Sequence, residues 1–495
     1  MPDLLAPVRT TLQRHGQDHL LAFDEQLDES GRHRLLEQIR SIDFDELDRL
    51  IELHVRSAEE HPLPTDLEPA PYYANDASDY DAAHYRAAGE ALIRAGKVAA
   101  FLVAGGQGTR LGWAGPKGTF PGTPVTGKPL FRVFAEQIQA VRNRYRVDVP
   151  WYIMTSEAND ADTRAFFADN NWFGLDQRDI FIFPQGMMPS LCAKTGRILL
   201  AGRDRLAMNP DGHGGSIRAL RASGAVEDMK ARGVEHISYF QVDNPLVNVV
   251  DPLFLGLHAA APDSSGEMSS KMVAKAYPGE KVGVFCRSEG KTMVVEYSDL
   301  PEELAQATDD KGGLRFNAGS IAIHILGVSF VEQLTADPSK FGLPFHRAVK
   351  KAPHIDLDTG ELIEPEEPNA VKLETFVFDA LPLAERSIVY ETSRAEEFAP
   401  IKNADGVDSP ATSHRLQSDR AGRWMEHAGA TVPKNDTATH PTSKLAEGAA
   451  VADPDAAPIY NATLEVSPLT ALEADDLAGH PDLPDAVAPG QAVAI

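Results

Sequence analysis

The chain has 495 residues, room for about two to four domains, and its 43% hydrophobic and 24% charged residues are ordinary globular usage. Its formal net charge of −26 argues against a coating role on DNA or RNA, because such a surface repels a polyanion. One small anion in a local basic pocket is still allowed, since net charge governs solubility and steering rather than sites.

In chain order, Met1-Pro2-Asp3-Leu4-Leu5-Ala6 lacks the charged and then apolar regions of a secretory leader. Residues 1–97 read as a helical region. Leu4, Val8, Leu12, Leu20, Leu21 and Phe23 suggest a first helix, flawed at Gly16. Leu35, Leu36 and Ile39 suggest a second, and Leu47, Leu50, Ile51 and Leu53 a third. The proline-rich stretch from His61 to Pro71 reads as a loop, and Tyr85, Ala88, Ala91, Leu92 and Ala95 fit helical spacing before Gly96.

The pattern changes at Val98. Val98-Ala99-Ala100-Phe101-Leu102-Val103-Ala104 is a continuous apolar run, as expected of a buried parallel strand. A helix follows through Leu130, Val133, Phe134, Ile138 and Val141, and then a strand, Trp151–Thr155. Further strands are expected at Ile180–Phe183, Ile237–Val242, Met272–Ala276, Val282–Cys286, Met293–Tyr297 and Ile321–Ile325. Such alternation argues for an α/β domain over 98–390 with helices on both faces of its sheet. The C-terminal region, 391–495, loosens in composition: 441–495 carries nine acidic residues against one Lys, and Gly479–Ile495 is expected to fray. Two cysteines, Cys192 and Cys286, are too few for a disulfide framework or a zinc site; both read as buried free thiols. With no apolar run approaching 18 residues, a reducing cytoplasmic compartment and no membrane span are expected.

The strongest signal is Ala104-Gly105-Gly106-Gln107-Gly108-Thr109-Arg110-Leu111-Gly112, followed by Pro116-Lys117-Gly118. It leaves the C-terminal end of the first central strand, where open α/β sheets place ligands. Three glycines in four residues let backbone amides approach phosphate oxygens, and Arg110 and Lys117 add positive charge. Two common phosphate loops fail here. A dinucleotide fingerprint requires its third glycine at Leu111, and a P-loop ending in Gly290-Lys291-Thr292 requires a glycine at Phe285.

Beyond the loop, motifs recur in a fixed order: Gln185-Gly186-Met187-Met188-Pro189, Pro210-Asp211-Gly212-His213-Gly214-Gly215, Val242-Asp243-Asn244 with Asp251-Pro252, and Val294-Val295-Glu296-Tyr297-Ser298. Then come Asn317-Ala318-Gly319, Leu343–His346, Lys372-Leu373-Glu374-Thr375-Phe376-Val377-Phe378-Asp379 and Pro400-Ile401-Lys402-Asn403-Ala404-Asp405. Together they resemble the UDP-N-acetylhexosamine pyrophosphorylases of eukaryotic type, within the UDP-sugar pyrophosphorylase superfamily, over roughly residues 15–480.

The resemblance implies a nucleotidyltransferase α/β domain, glycosyltransferase-A-like and Rossmann-like with a mixed sheet, flanked by an N-terminal helical part and a small C-terminal β-containing part. It implies that UTP and N-acetylglucosamine 1-phosphate give UDP-N-acetylglucosamine and pyrophosphate, with Mg²⁺. Positioning and charge neutralisation should dominate such chemistry. The backbone of Ala104, Gly105 and Gly106 would lie against uridine, with Gln185 and Gly212 on the uracil edge. Arg110 and Lys117 would grip the triphosphate, Asp243 would hold the metal, Lys402 would neutralise the reacting phosphate, and Lys372 would add charge there. Gly283, Glu296, Tyr297 and Asn317 would line the sugar pocket, with Phe376 and Phe378 as its wall; the two phenylalanines are equally readable as core.

The match has departures. His213 stands where N-acetylhexosamine enzymes have Asn, and a P-G-H-G of the UDP-glucose branch has His at that place, so His213 either reads the sugar or is structural. Pro245 directly follows Asp243-Asn244 and stiffens that turn. Glucose or galactose 1-phosphate as the substrate, or non-catalytic binding of a nucleotide sugar, are the rival readings; a monomer or homodimer is expected.

Overall fold

The computed structural model describes residues 5–57, 63–336, 342–435 and 458–495. Leu4, the start of the proline-rich stretch and the acidic run 441–457 therefore lie outside the described residues. By proximity the chain forms two compact units that do not follow chain order. One joins Met1–Pro62, Gln185–Arg218 and Thr335–Asp379; the other joins Leu63–Pro184, Ala219–Leu334 and Ala380–Ile495.

The larger unit is built on a mixed ten-stranded sheet. Its main strands are β1 (Val98–Val103), β2 (Trp151–Thr155), β3 (Ile180–Pro184), β4 (His236–Gln241), β5 (Met268–Ala274), β6 (Val284–Ser288) and β7 (Ala318–Gly327). Every strand expected from apolar runs is present, with ends shifted by a few residues. In space β3, β2, β1 and β4 run side by side in parallel; β7 pairs antiparallel with β4, β5 and β6. β2 is buried along its whole length, which is why it is uniformly apolar. The chain steps from β1 outward to β2 and β3, then returns to the opposite side of β1 as β4. That reversal is a topological switch point, where the loops leaving β1 and β4 open a crevice. Helix α1 (Leu130–Tyr145) covers the sheet with Leu130, Phe134, Ile138 and Val141.

The C-terminal region corrects the expectation of a frayed end. Helix α2 (Pro410–His427) starts on a capping box at Ser409. Ala492–Ala494 pairs in parallel with Thr463–Glu465, and Leu464 is wholly buried beside Tyr460 and Leu477. Composition alone cannot reveal such a ladder, because its partner lies about 30 residues away and its strands are three residues long.

In the smaller unit, helices Leu5–Arg14, Glu29–Arg40 and Phe44–Ile51 pack Leu12, Leu35, Ile39, Leu47 and Leu50 against Leu191, Val371 and Leu373. Asp28 and Asp43 cap the second and third helices by accepting the N–H groups of Gly31 and Glu46. The first helix ends before Gly16, whose φ of 66° no continuing helix allows. Phe345–Lys350, Ala370–Thr375 and Leu191–Cys192 form a three-stranded antiparallel sheet over this core. Cys192 is half-buried at its edge rather than buried, whereas Cys286 is sealed within β6, where burial pushes its thiol up to about 12. No helix among the described residues is long and apolar enough to cross a membrane.

Candidate active site

In the larger unit the glycine loop leaves β1 and folds back on itself. Gly108 N–H donates to the Gly115 carbonyl (3.0 Å), Trp113 N–H to that of Gly108 (3.0 Å) and Lys117 N–H to that of Gly106 (3.1 Å). Two glycines here are demanded by space: a Cβ on Gly108 would lie 2.7 Å from Trp113, and one on Gly118 would lie 2.2 Å from the Phe131 ring. A Cβ on Gly106 would meet nothing within 4 Å, so this part of the loop borders open space. The amides of the loop are thus held in a fixed curve with one free side, the form of an anion cradle.

Lys117 is the centre of a charge group. Burial pushes its ammonium below the usual lysine range; Asp243 opposes the shift, and Lys402 and Arg110 add to it. Asp243 follows β4, whose next residue Val242 donates its N–H to Val103 (3.1 Å), tying the two crevice loops at their roots. Asn244 is buried and faces the other way: its Nδ2 donates to the Glu397 carbonyl (2.7 Å) and its Oδ1 accepts from Ala399 N–H (3.1 Å). Ile401 N–H in turn donates to the Asp243 carbonyl (2.8 Å), which brings Lys402 alongside. Lys402 Nζ lies 3.7 Å from Asp408, whose carboxyl burial raises above the usual range against the pull of Lys402. Arg110, Lys117 and Lys402, taken from three separate motifs, therefore share one neighbourhood with Asp243.

Of the residues expected at the sugar, Gly283 immediately precedes β6 and Asn317 precedes β7, while Glu296 and Tyr297 follow the strand Lys291–Val295. Glu296 Oε1 is 3.3 Å from where a Cβ on Gly283 would sit. Ser320 N–H donates to the Gly283 carbonyl (2.8 Å), and the Asn317 carbonyl accepts from Lys275 N–H (2.8 Å), so residues 283 and 317 stand at the starts of the paired strands β6 and β7. Tyr297 is 46% exposed.

In the smaller unit, Asp211–Gly215 wraps the end of strand Ala370–Thr375. Asp211 N–H donates to the Gly186 carbonyl (3.2 Å), Thr375 N–H to that of Asp211 (2.8 Å), and Gly214 N–H to that of Thr375 (2.8 Å). Gly212 has φ 84°, and a Cβ there would lie 2.3 Å from the Thr375 carbonyl oxygen. Gln185, next to Gly186, is half-buried. Alternation along the strand turns Val371, Leu373 and Thr375 inward and puts Lys372, Glu374 and Phe376 on the opposite face. Phe376 stacks with His213 (5.2 Å, 22°) and with His346 (4.4 Å, 25°), and the buried Phe378 packs against both Phe376 (5.1 Å) and His213 (5.6 Å), so the two phenylalanines and His213 form one cluster. His213 Nδ1 accepts the Val377 N–H at 3.1 Å, which leaves the ring proton on Nε2. Burial, with His346 adding to it, pushes this imidazole down to about 4. His213 is therefore neutral at pH 7 and offers one N–H donor.

One residue of this architecture escapes motif reading. Asn159, completely buried just after β2, donates from Nδ2 to the carbonyls of Ala104 (3.1 Å) and Gly106 (3.3 Å) and accepts the Ser156 N–H (2.7 Å). The only hint is a polar residue close behind the C-terminal end of a strand.

A sequence model described as UTP–glucose-1-phosphate uridylyltransferase matches residues 64–446. The chain is 38% identical over 444 residues to UDP-N-acetylhexosamine pyrophosphorylase-like protein 1 of Homo sapiens, covering 86% of each chain. It is 37% identical over 361 residues to the UDP-N-acetylglucosamine pyrophosphorylase of Saccharomyces cerevisiae, covering 71% of this chain and 74% of that one. In three dimensions it is similar to the uridine diphosphate N-acetylglucosamine pyrophosphorylase of Trypanosoma brucei, solved in complex with an inhibitor, with a TM-score of 0.77, 26% identity and 98% coverage of both chains. With the family match spanning most of the chain, this protein belongs to the UTP–glucose-1-phosphate uridylyltransferase family, the UDP-sugar pyrophosphorylases.

Proposed function

We propose that the chain transfers a uridylyl group from UTP to N-acetylglucosamine 1-phosphate, giving UDP-N-acetylglucosamine and pyrophosphate. The observation that carries this reading is the grouping of Arg110, Lys117 and Lys402 around Asp243 at the switch point of the sheet. An oxygen of the sugar phosphate attacks the α-phosphorus, and the bond to the bridging oxygen breaks. Pyrophosphate leaves with the electron pair. The nucleophile already carries negative charge, so no general base is needed. The work left to the protein is in-line positioning and neutralisation of charge. Arg110 and Lys117 meet the departing phosphates, the Ala104–Gly106 backbone borders the nucleotide, and Lys402 offsets charge at the attacking phosphate.

Asp243 suits Mg²⁺ in one respect that the structure supplies: it is a half-buried carboxylate beside Lys117, with Asp408 as a second carboxylate in the same group. No group of three or more metal-binding side chains occurs among the described residues. Mg²⁺ takes one or two carboxylates and completes its shell with water and substrate phosphates. When bound there it would neutralise phosphate charge; Asp243 would anchor it.

His213 bears on which sugar is used, because a neutral ring with an Nε2 donor can hydrogen-bond a hydroxyl or an acetamido oxygen alike. The deciding experiment is pyrophosphate release from UTP and Mg²⁺ with a panel of sugar 1-phosphates. We expect the highest kcat/KM with N-acetylglucosamine 1-phosphate, and a Lys402→Ala loss of about 10²–10³-fold in kcat, the cost of removing one charge-stabilising donor. Preference for glucose or galactose 1-phosphate would reassign the sugar. Binding of UDP-sugar with no release on any sugar would reject the transferase.

A further inference from the structure

Lys271 lies in β5, wholly buried, outside the charge group around Lys117. Its Nζ is 2.7 Å from Asp251 and 2.7 and 2.6 Å from the two carboxylate oxygens of Glu397. The rings of Phe254 and Tyr390 flank it at 5.4 and 5.8 Å. Each carboxylate holds a segment of backbone. Asp251 accepts the N–H groups of Leu253 (2.9 Å) and Phe254 (3.3 Å), capping the helix Pro252–Ala260. Glu397 accepts from Asn248 N–H (2.9 Å) and Thr392 Oγ1 (2.6 Å), and its own carbonyl accepts from Asn244.

These bonds join two short runs of chain. One runs from Asp243 to Asp251, the other from Glu397 to Lys402. They are riveted together near one end by Asn244 to Ala399 and Asp243 to Ile401. Lys271 fastens the remaining ends, at Asp251 and Glu397. Without its charge, two buried carboxylates would face each other and repel, and both runs would shift.

We propose that Lys271 is a positioning residue for uridylyl transfer: through Asp251 and Glu397 it sets the separation of Asp243 and Lys402 and touches no substrate itself. The proposal rests on the roles given above to Asp243 and Lys402. An apolar residue would fill the space of Lys271 but could not draw both carboxylates inward.

The test compares Lys271→Met with Leu477→Ala, a core variant of the same unit whose buried cluster contains no residue of either run. Both are assayed well below their melting temperatures, beside wild type. We expect Lys271→Met to lose about 10–100-fold in kcat, the usual price of displaced reacting groups, with UTP affinity by calorimetry altered less than about threefold. Glu397→Gln retains an acceptor for Asn248 and should show a smaller loss of the same kind. The Lys271→Met/Glu397→Gln pair should be no worse than the worse single variant, because the two act as one unit. A Lys271→Met kcat within about twofold of the Leu477→Ala control overturns the proposal, as do losses that multiply in the double variant. If Lys271→Met does not fold, Glu397→Gln and Asp251→Asn decide: kcat near wild type in both overturns it. Wild type without turnover on any sugar 1-phosphate sinks the transferase reading itself, which separates that failure from this one.

Discussion

Asn159 shows how a residue far from any motif can hold one in shape. Its side chain, wholly buried, satisfies two carbonyls of the glycine loop and an amide of its own turn. Asn159→Ala removes this partner from the Ala104 carbonyl and the Ser156 N–H, while the Gly106 carbonyl keeps the Lys117 N–H, at a cost of about 1–3 kcal/mol. We expect a lower melting temperature and a weakened UTP affinity, read by thermal melts and calorimetry; UTP binding equal to wild type would show that the loop keeps its curve unaided. His213 makes a second residue-scale prediction. Its folded value of about 4 lies below the ordinary 6.5, so between those two values the unfolded chain binds the proton and the folded chain does not. Stability from this group is therefore complete above 6.5 and falls as pH drops toward 4, by at most ~3 kcal/mol. Asp211, raised to about 7 by burial, works in the opposite sense, so the His213 contribution must be read as the difference between wild type and His213→Asn. That difference in unfolding free energy should shrink from pH 7 to 4.5. Arg110, Lys117, Asp243 and Lys402 were candidates from the sequence, because each sits in an ordered motif, and the fold brings them into one neighbourhood. Asn159 was not a candidate, since the two carbonyls it holds in the glycine loop are main-chain atoms more than 50 residues away.

At the scale of elements, local pattern predicted strands and helices well and predicted their pairing not at all. A continuous apolar run reads as a buried strand whatever its neighbours, so β1 to β7 were foreseeable. That β4 returns beside β1, rather than beyond β3, is a long-range choice, and it is what brings Asp243 to the glycine loop. The terminal strand Ala492–Ala494 was missed for the same reason. Its ladder is made with Thr463–Glu465, and Glu465 in turn accepts the N–H groups of Val125 (3.0 Å) and Thr126 (2.8 Å), just beyond the glycine loop. Removing Gln491–Ile495 should lower the melting temperature by a few degrees, on the order of 2–4 °C per kcal/mol lost. A truncated chain that melts with wild type would mean that the ladder contributes nothing.

Over the whole molecule, 73 acidic residues against 47 basic ones leave a surface hostile to polyanions, yet three cations gather in one crevice. Composition spoke for the average surface, and the fold decides where the exceptions go. The sequence by itself determined the chemistry: which residues carry charge, which loop can cradle phosphate, and to which family the ordered motifs point. Those are properties of short segments, set by backbone freedom, side-chain type and apolar periodicity. Only the tertiary structure decided which segments meet. The switch between β1 and β4 and the reach of Lys271 across 126 residues to Glu397 both depend on long-range packing, as does the proton left on Nε2 of His213 by Val377. No local period encodes that packing, because its free energy comes from burying side chains against partners that are distant along the chain.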